Sequence, residues 1–114
     1  MGGHIWTSKI YYGGIVLPIN IKKDVYPEIV EIWGISSNSI VLNMVDGREV
    51  KITASHNIKS GAIPQYYADY EERVEFEVGG KIYKVWAEAT YPWQDGDTIE
   101  ECLELAIRWV VNPH

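Results

Sequence analysis

The residues best suited to bind another molecule are aromatic rings that lie beside carboxylates. Residues 91–93 (YPW) lead directly into residues 94–97 (QDGD), and a second aromatic group consists of Tyr66, Tyr67 and Tyr70. Rings flanked by carboxylates suit a cationic group, a sugar or an arginine-rich surface. The competing interpretation is that these rings plug the ends of a small barrel, because Tyr and Trp serve both purposes. The candidate binding residues are Tyr66, Tyr67, Tyr70, Tyr91, Trp93 and Asp95.

Signatures of catalysis are scarce in this chain. It has no P-loop and no G-x-G-x-x-G, G-x-S-x-G or H-E-x-x-H motif. His4, His56 and His114 are far apart in sequence, and a hydrogen-bonded or solvent-facing role is commoner for such a histidine than catalysis. Glu49 and Lys51 have the E-x-K spacing of some metal-dependent nucleases, but alternating charge on the wet face of a hairpin explains it more simply. We therefore favour a non-enzymatic protein, with no catalytic residue and no cofactor.

Gly2-Gly3-His4 is the one pattern with the chemistry of a metal site. If Met1 is removed, the free amine, two deprotonated amides and the imidazole form the square-planar nitrogen set that Cu(II) and Ni(II) prefer. A flexible leader explains the same residues, since chain ends are usually incidental to function. We favour the leader, and copper titration followed by visible absorption would separate the two interpretations.

The binding residues must be positioned by a β-rich scaffold. Ile and Val together number 26 against four Leu, and side chains branched at Cβ favour pleated strands. Residues 4–23 are predicted to form a hairpin, because residues 13–14 (GG) accept the positive φ angles of a tight turn. Its expected pairs are Tyr12 with Ile15, Ile10 with Leu17, Ser8 with Ile19, and Trp6 with Ile21. Pro18 has no N–H to donate, so an open edge is expected near it, where a second copy could pair to form a homodimer.

Two further hairpins are predicted over residues 39–55 and 73–89. In the first, a three-residue loop with Gly47 in the left-handed conformation keeps the apolar and polar faces separate. In the second, residues 79–80 (GG) form the turn. The expected pairs are Leu42 with Val50 and Ile40 with Ile52 in the first, and Val74 with Val85, Phe76 with Tyr83 and Glu75 with Lys84 in the second.

Two segments between the hairpins are harder to assign. In residues 24–35 a three-residue spacing of glutamates indicates a helix, whereas Pro27 and the β-branched residues favour a strand. We favour the strand, beginning at about Glu28. Residues 56–72 are predicted to be a long connection, in which Pro64 begins a short helical turn. Such a turn would place on one side Tyr66, Tyr67 and Tyr70.

Residues 98–111 are predicted to form an amphipathic helix. Asp97 or Thr98 caps its start, and Glu100 or Glu101 takes the answering position of a capping box. The apolar stripe at i, i+3 and i+4 spacing consists of Ile99, Cys102, Leu103, Ala106, Ile107 and Val110. This stripe must pack on the sheet, so the thiol within it is expected to be buried and structural.

Residues 96–106 (GDTIEECLELA) resemble the strand-to-helix step of HicB-type antitoxins. In that family a hairpin leads through a proline-containing loop into a G-D-T-x-E-E-x-L-x-x-A helix. Here residues 74–89, Pro92 and the predicted helix follow the same order, whereas residues 1–72 have no counterpart in the resemblance. The resemblance implies a regulator that neutralises a toxin and performs no chemistry of its own.

The charge balance limits the classes of partner. The net charge of −6 argues against a general nucleic-acid binder, which needs a basic face, and also disfavours anionic membranes. The single cysteine, Cys102, leaves no internal disulfide, and neither a secretory signal nor a membrane-spanning apolar run is visible. We therefore expect a cytoplasmic protein.

The sequence thus predicts one domain over residues 1–114 with an α+β fold. We expect an antiparallel, strongly curved sheet or small β-barrel built from three hairpins, with one C-terminal amphipathic helix packed on it. The favoured function is a non-enzymatic binding or regulatory module that engages a protein partner through its aromatic-acidic loops. One alternative is a pocket in the sheet or barrel mouth for a cationic or sugar-like ligand, with or without weak enzymatic activity. The other alternative is a HicB-like antitoxin-type regulator.

Overall fold

The computed structural model describes residues 5–6, 11–12, 15–16, 18–19, 21–22, 25–59, 61 and 63–112. These ranges contain short strands near the N-terminus, longer strands in the middle of the chain and one helix after them. The strands are β1 (Ile5–Trp6), β2 (Tyr11–Tyr12), β3 (Ile15–Val16), β4 (Ile21–Lys22), β5 (Ile29–Ser36), β6 (Ser39–Met44), β7 (Glu49–His56), β8 (Tyr66–Val78), β9 (Lys81–Glu88) and β10 (Asp95–Gly96), and the helix is α1 (Ile99–Val111).

The main sheet is antiparallel and has six strands. Its order is β10-β8-β7-β6-β5, and β9 pairs with the same edge of β8 as β10 does. Because β5 is not hydrogen-bonded to β9 or β10, the described strands form an open sheet rather than a closed barrel. The α+β architecture with an antiparallel sheet and a C-terminal helix is therefore confirmed. The small barrel is not formed by these strands, and strong curvature of the sheet stays a prediction.

The described parts of the N-terminal hairpin keep the predicted register. Tyr12 lies opposite Ile15 in the β2–β3 pair, and Trp6 lies opposite Ile21 in the β1–β4 pair. The two pairs lie six positions apart on each side of the hairpin, as the predicted register requires. The predicted turn at residues 13–14 lies outside the described residues. Ile19 is buried in the main core.

The two later hairpins confirm the registers that the turn residues predicted. Leu42 lies opposite Val50, and Gly47 has a φ of +94° in the three-residue loop between their strands. The N–H of Gly47 donates to the carbonyl of Met44 at 3.0 Å. Phe76 lies opposite the tyrosine at position 83, as predicted, and both turn glycines of that hairpin have positive φ angles. A glycine tolerates these angles without the clash that a Cβ atom would cause.

Residues 29–36 form a strand, which confirms the strand interpretation of that segment. The interpretation of residues 56–72 was wrong, because residues 66–72 extend β8 and pair with β7 instead of forming a helical turn. Strand geometry sends alternate side chains to opposite faces. Tyr66 and Tyr70 therefore share the face that carries the core, whereas Tyr67 lies on the other face.

α1 closes one side of the sheet as predicted. Its start is capped by Thr98, whose side chain accepts a hydrogen bond from the N–H of Glu101 at 3.0 Å. The helix lies against β7, β8 and β10. Its buried residues are Cys102, Leu103, Ala106, Ile107 and Val110, and the sheet residues facing them include Ile40, Leu42, Val50, Ile52 and Tyr70. We call the helix side of the sheet the core face and the other side the open face.

Candidate binding site

The candidate site is built on a bulge in the edge strand formed by β9 and β10. The N–H of Ala89 donates to the carbonyl of Tyr70 at 3.0 Å, and the N–H of Ala68 donates to the carbonyl of Gln94 at 2.8 Å. Residues 90–93 therefore stand opposite a single β8 residue, Asp69. An uninterrupted ladder would place one residue there, so the edge strand must loop out at this point.

A side-chain contact holds the far end of this bulge. Trp109 of α1 donates its Nε1–H to Oε1 of Gln94 at 2.6 Å. The next two residues, Asp95 and Gly96, pair again with Tyr67 and Tyr66 of β8. The bulge is thus anchored by the β8 ladder on both sides and by the helix at one end, which favours a fixed presentation of its side chains.

The bulge places one aromatic ring on each face of the sheet. Tyr91 packs on the core face, with its ring centroid 5.0 Å from that of Tyr70 and an interplanar angle of 41°. Trp93 packs on the open face, stacked on Tyr67 at 5.2 Å with an interplanar angle of 12°. The predicted aromatic group is therefore divided between two environments by the alternation of β8.

The core-face pair belongs to a hydrogen-bonded network that has a structural role. Nη1 of Arg48 donates to the hydroxyl of Tyr91 at 2.7 Å, and that hydroxyl donates to Oε1 of Glu72 at 3.2 Å. Nε of Arg48 also contacts Oδ2 of Asp46 at 2.8 Å. Burial raises the pKa of the Tyr91 hydroxyl, which keeps it a neutral donor between the two charged groups.

Tyr70 is the more buried member of this pair, with 6% of its surface exposed. Its hydroxyl donates to the carbonyl of Pro92 at 3.4 Å, and this hydrogen bond supports the bulge from the core face. Burial raises the pKa of this hydroxyl well above its ordinary value. For Tyr70 and Tyr91 the geometry therefore favours a structural role, although they pack on the core of an open sheet rather than at the end of a barrel.

The open-face pair has the opposite character. Trp93 remains 65% exposed although Tyr67 covers one side of its ring. Its Nε1–H donates to Oδ2 of Asp95 at 3.0 Å, and this bond fixes the orientation of the indole. An exposed, oriented aromatic ring beside a carboxylate is the arrangement that suits a cationic group.

Beside this ring lies a cavity of about 540 Å³, which we call the Trp93 cleft. Its carboxylates come from β8 and from the end of β9, and its rings come from the bulge and from β8. The polar and aromatic lining residues are Asp69, Tyr70, Glu71, Glu88, Thr90, Tyr91 and Trp93. No lysine, arginine or histidine lines the cleft within the described part of the chain.

The carboxylates of the cleft are only partly neutralised. Glu71 and Glu88 lie directly opposite each other in the β8–β9 ladder, an arrangement of like charges that costs stability. Nζ of Lys51 lies 3.4 Å from Oε1 of Glu71, and Asp69 accepts a hydrogen bond from the hydroxyl of Ser55. Among the described residues, no ion pair involves Glu88. The cleft therefore carries an excess of negative charge.

Of the six candidate residues, Tyr70, Tyr91 and Trp93 line this cleft, and Tyr67 and Asp95 hold Trp93 in place without lining it. Tyr67, Trp93 and Asp95 share the open face, whereas Tyr70 and Tyr91 fill the core face. Tyr66 lines a separate cavity near the start of α1, and its ring meets His56 edge-on at 5.4 Å. Sequence reasoning missed the carboxylates Asp69, Glu71 and Glu88. The signal that could have revealed the first two is the alternation of apolar and acidic residues over 68–71, which is typical of a strand.

The metal-site and membrane expectations can be compared with the structure only over its described residues. Residues 2–4, the Cu(II) or Ni(II) candidate that includes His4, lie outside the described residues. Within the ranges that the structure covers, no group of three His, Cys, Asp or Glu side chains is arranged to hold a metal ion. The described chain contains no helix that is long and apolar enough to cross a membrane.

Comparison of the chain with protein-family models, with curated proteins and with solved structures finds no match. The resemblance of residues 96–106 to HicB-type antitoxins therefore stays a prediction. The structure does contain the hairpin, the bulge with Pro92 and the capped helix in the order on which that resemblance depends.

Proposed function

We propose that this protein is a non-enzymatic binding module whose Trp93 cleft receives a cationic side chain of a protein partner. The observation that carries the proposal is the exposed Trp93 ring, held by Tyr67 and Asp95 at the mouth of an acidic cleft. A guanidinium or ammonium group is attracted by the face of an indole and gains further from nearby carboxylates. An arginine fits best, because its planar guanidinium can stack on the indole ring and donate hydrogen bonds to a carboxylate at the same time.

The charge of the cleft supports this choice of ligand. Glu88 faces Glu71 across the ladder, so an incoming cation would relieve a repulsion that the free protein carries. The net charge of −6 would also accelerate the approach of a basic partner. The proposal includes the cytoplasmic location and the protein partner expected from the sequence, and it assigns no chemistry to the site.

The test is calorimetric titration of the full-length protein with an oligoarginine peptide. Glu88→Gln is expected to weaken binding by about tenfold, equivalent to about 1.4 kcal/mol, because it removes a charge from the cleft. Trp93→Ala is expected to weaken binding by a similar factor. Raising the salt concentration should weaken binding of the unaltered protein.

Glu77→Gln is the matched control. Glu77 lies on the open face like Glu88 and is exposed, but it lies near the far end of the same hairpin. This variant removes the same charge outside the cleft, and peptide binding should be nearly unchanged. Equal weakening by Glu77→Gln and Glu88→Gln would show that the attraction is spread over the surface and would reject the Trp93 cleft as the site.

A small cationic or sugar-like ligand is the second candidate. The cleft volume of about 540 Å³ is in the range of small-molecule sites, which favours this candidate. A free ligand that binds only the folded protein must raise the melting temperature by mass action. Arginine amide and a neutral disaccharide are suitable probes. A shift with arginine amide that Glu88→Gln abolishes would support a small-ligand site, and a shift with the sugar alone would favour a carbohydrate.

A further inference from the structure

The outer half of the β8–β9 hairpin extends beyond the body of the sheet. β7 pairs with β8 only as far as Glu72, whose partner is Val50. Beyond that point β8 pairs only with β9, so residues 73–86 form a two-stranded ribbon. An isolated two-stranded ribbon in water is marginally stable, and a packed surface is normally needed to support it. We call this segment the ribbon.

The two faces of the ribbon differ sharply. On the open face, Glu75 pairs with Lys84 at 3.4 Å. On the same face, the ring of Trp86 lies 5.2 Å from Nζ of Lys51 and 5.3 Å from the guanidinium carbon of Arg73. These three cations therefore find partners on the open face within the same chain.

The core face of the ribbon is apolar and uncovered. α1 covers the inner part of this face, where Tyr70 is buried, whereas the ribbon side chains of the same face are exposed. Its apolar side chains are all at least 40% exposed, and they are Val74, Phe76, Val78, Tyr83 and Val85. Phe76 and Tyr83 stack on each other at 5.6 Å in the middle of the patch. A contiguous exposed patch of this kind marks an interaction surface.

The charged residues at the two ends of the patch are complementary. Lys81, opposite Val78, lies at the tip of the core face, and Glu72, opposite Ala87, lies at its base. They are separated by six residue steps along β8, or about 20 Å. Consider a twofold axis that lies parallel to the core face, runs perpendicular to the strands and passes midway between Val74 and Phe76. Rotation about this axis would place the tip of one ribbon at the height of the base of the other. In a second copy related by that axis, each cationic tip lies above an anionic base, and the apolar patches face each other.

We propose that two copies of this chain associate through the core faces of their ribbons, in an antiparallel, twofold-symmetric dimer. Such an interface is isologous, so each copy uses the same patch. The dimer is therefore closed, and no part of the patch remains free to bind a third copy. Burial of the central Phe76 and Tyr83 rings supplies the main driving force. The Lys81–Glu72 contacts select the antiparallel orientation, since a parallel arrangement would bring the two Lys81 side chains together.

The test is sedimentation velocity of the full-length, tag-free protein from about 1 µM to about 100 µM, a range that covers the affinity of a moderate interface. The unaltered protein is expected to form a dimer that dissociates on dilution. Phe76→Ser should yield a monomer over this range, because it removes the central ring. Lys81→Glu, an exposed change that leaves the apolar patch intact, should weaken the dimer by about tenfold.

Ile82→Ser is the matched control. Ile82 is 69% exposed on the open face of the same ribbon, so the change removes a large apolar side chain from the face that the dimer does not use. Dimerisation should persist in this variant. Circular dichroism of each variant distinguishes loss of the dimer from loss of the fold.

A protein that stays monomeric at every concentration would overturn the proposal. So would a dimer that Phe76→Ser and Ile82→Ser affect equally, or one that Lys81→Glu does not weaken. The result is independent of the Trp93 cleft, because the cleft is formed by residues outside the ribbon. The Phe76→Ser variant is expected to bind oligoarginine like the unaltered protein, so failure of one proposal is distinguishable from failure of the other.

Discussion

Tyr67 and Tyr70 lie three positions apart on one strand, and on opposite faces of the sheet each packs against an aromatic ring from the same four-residue bulge. Tyr70 meets Tyr91 over the core, and Tyr67 meets Trp93 beside the acidic cleft. One short irregularity of the edge strand thus supports the fold on one face and presents a candidate binding ring on the other.

The first prediction compares the two faces. Tyr70→Ala should lower the free energy of unfolding by about 3 kcal/mol, because a nearly buried ring leaves a cavity. Trp93→Ala should cost less than about 1 kcal/mol, since most of that ring is exposed. Urea unfolding of both variants provides the comparison. Equal losses would mean that Trp93 is a core residue, and the proposed role of the cleft would lose its main support.

The second prediction concerns the Arg48–Tyr91–Glu72 network. Tyr91→Phe keeps the ring but removes the hydroxyl that accepts from Arg48 and donates to Glu72. The expected loss is about 1 to 2 kcal/mol in the free energy of unfolding. Tyr83→Phe, at an exposed ring, is the control and should change stability by less than about 0.5 kcal/mol. A Tyr91→Phe variant as stable as the control would show that the network does not stabilise the fold.

The third prediction concerns the approach of β10 to the helix. A Cβ atom at Gly96 would lie 2.8 Å from the backbone N of Cys102 and 3.1 Å from its Cα. Gly96→Ala must therefore displace the start of α1, at a cost of about 1 to 3 kcal/mol. The displacement should also increase the rate at which a thiol reagent labels the buried Cys102. Unchanged labelling together with unchanged stability would contradict this close packing.

The fourth prediction concerns alkaline pH. Burial raises the pKa of the Cys102 thiol from an ordinary value of 9.0 to about 11, and nearby carboxylates such as Asp95 and Asp69 act in the same direction. The pKa of Tyr70 and that of Tyr91 are also raised by burial. The folded protein therefore holds these protons more tightly than the unfolded chain does. The contribution of Cys102 to stability is complete below about pH 9 and is lost as the pH rises through about 11, whereas the contributions of the two tyrosines begin to be lost only above their ordinary pKa of 10.0.

The measurement is the midpoint of urea unfolding at a series of pH values between 8 and 11. The midpoint should fall as the pH rises, and Cys102→Ala should reduce the slope of that fall while lowering stability at every pH through its cavity. A midpoint that is independent of pH, or a slope that Cys102→Ala leaves unchanged, would argue against the buried neutral thiol.

Local patterns in the sequence were enough to predict most of the architecture. Gly47, Gly79 and Gly80 defined two turns, and the alternation of apolar residues then fixed both registers, because a slip by one residue would exchange the two faces. The helix and its Thr98 cap were also predictable, because capping and i, i+4 spacing involve only residues that are close in sequence.

Tertiary structure alone decided where the aromatic and acidic residues meet. Residues 66–72 contain polar and aromatic residues that suit a loop or a strand. They form a strand because their backbone pairs with the free edge of β7. The two ladders on β8 then forced residues 90–93 into a bulge, which separated Tyr91 from Trp93. The Trp93 cleft depends on the pairing of β10 with β8, and the exposure of the ribbon depends on where β7 stops pairing with β8. Neither of these long-range relationships is a local signal in the sequence.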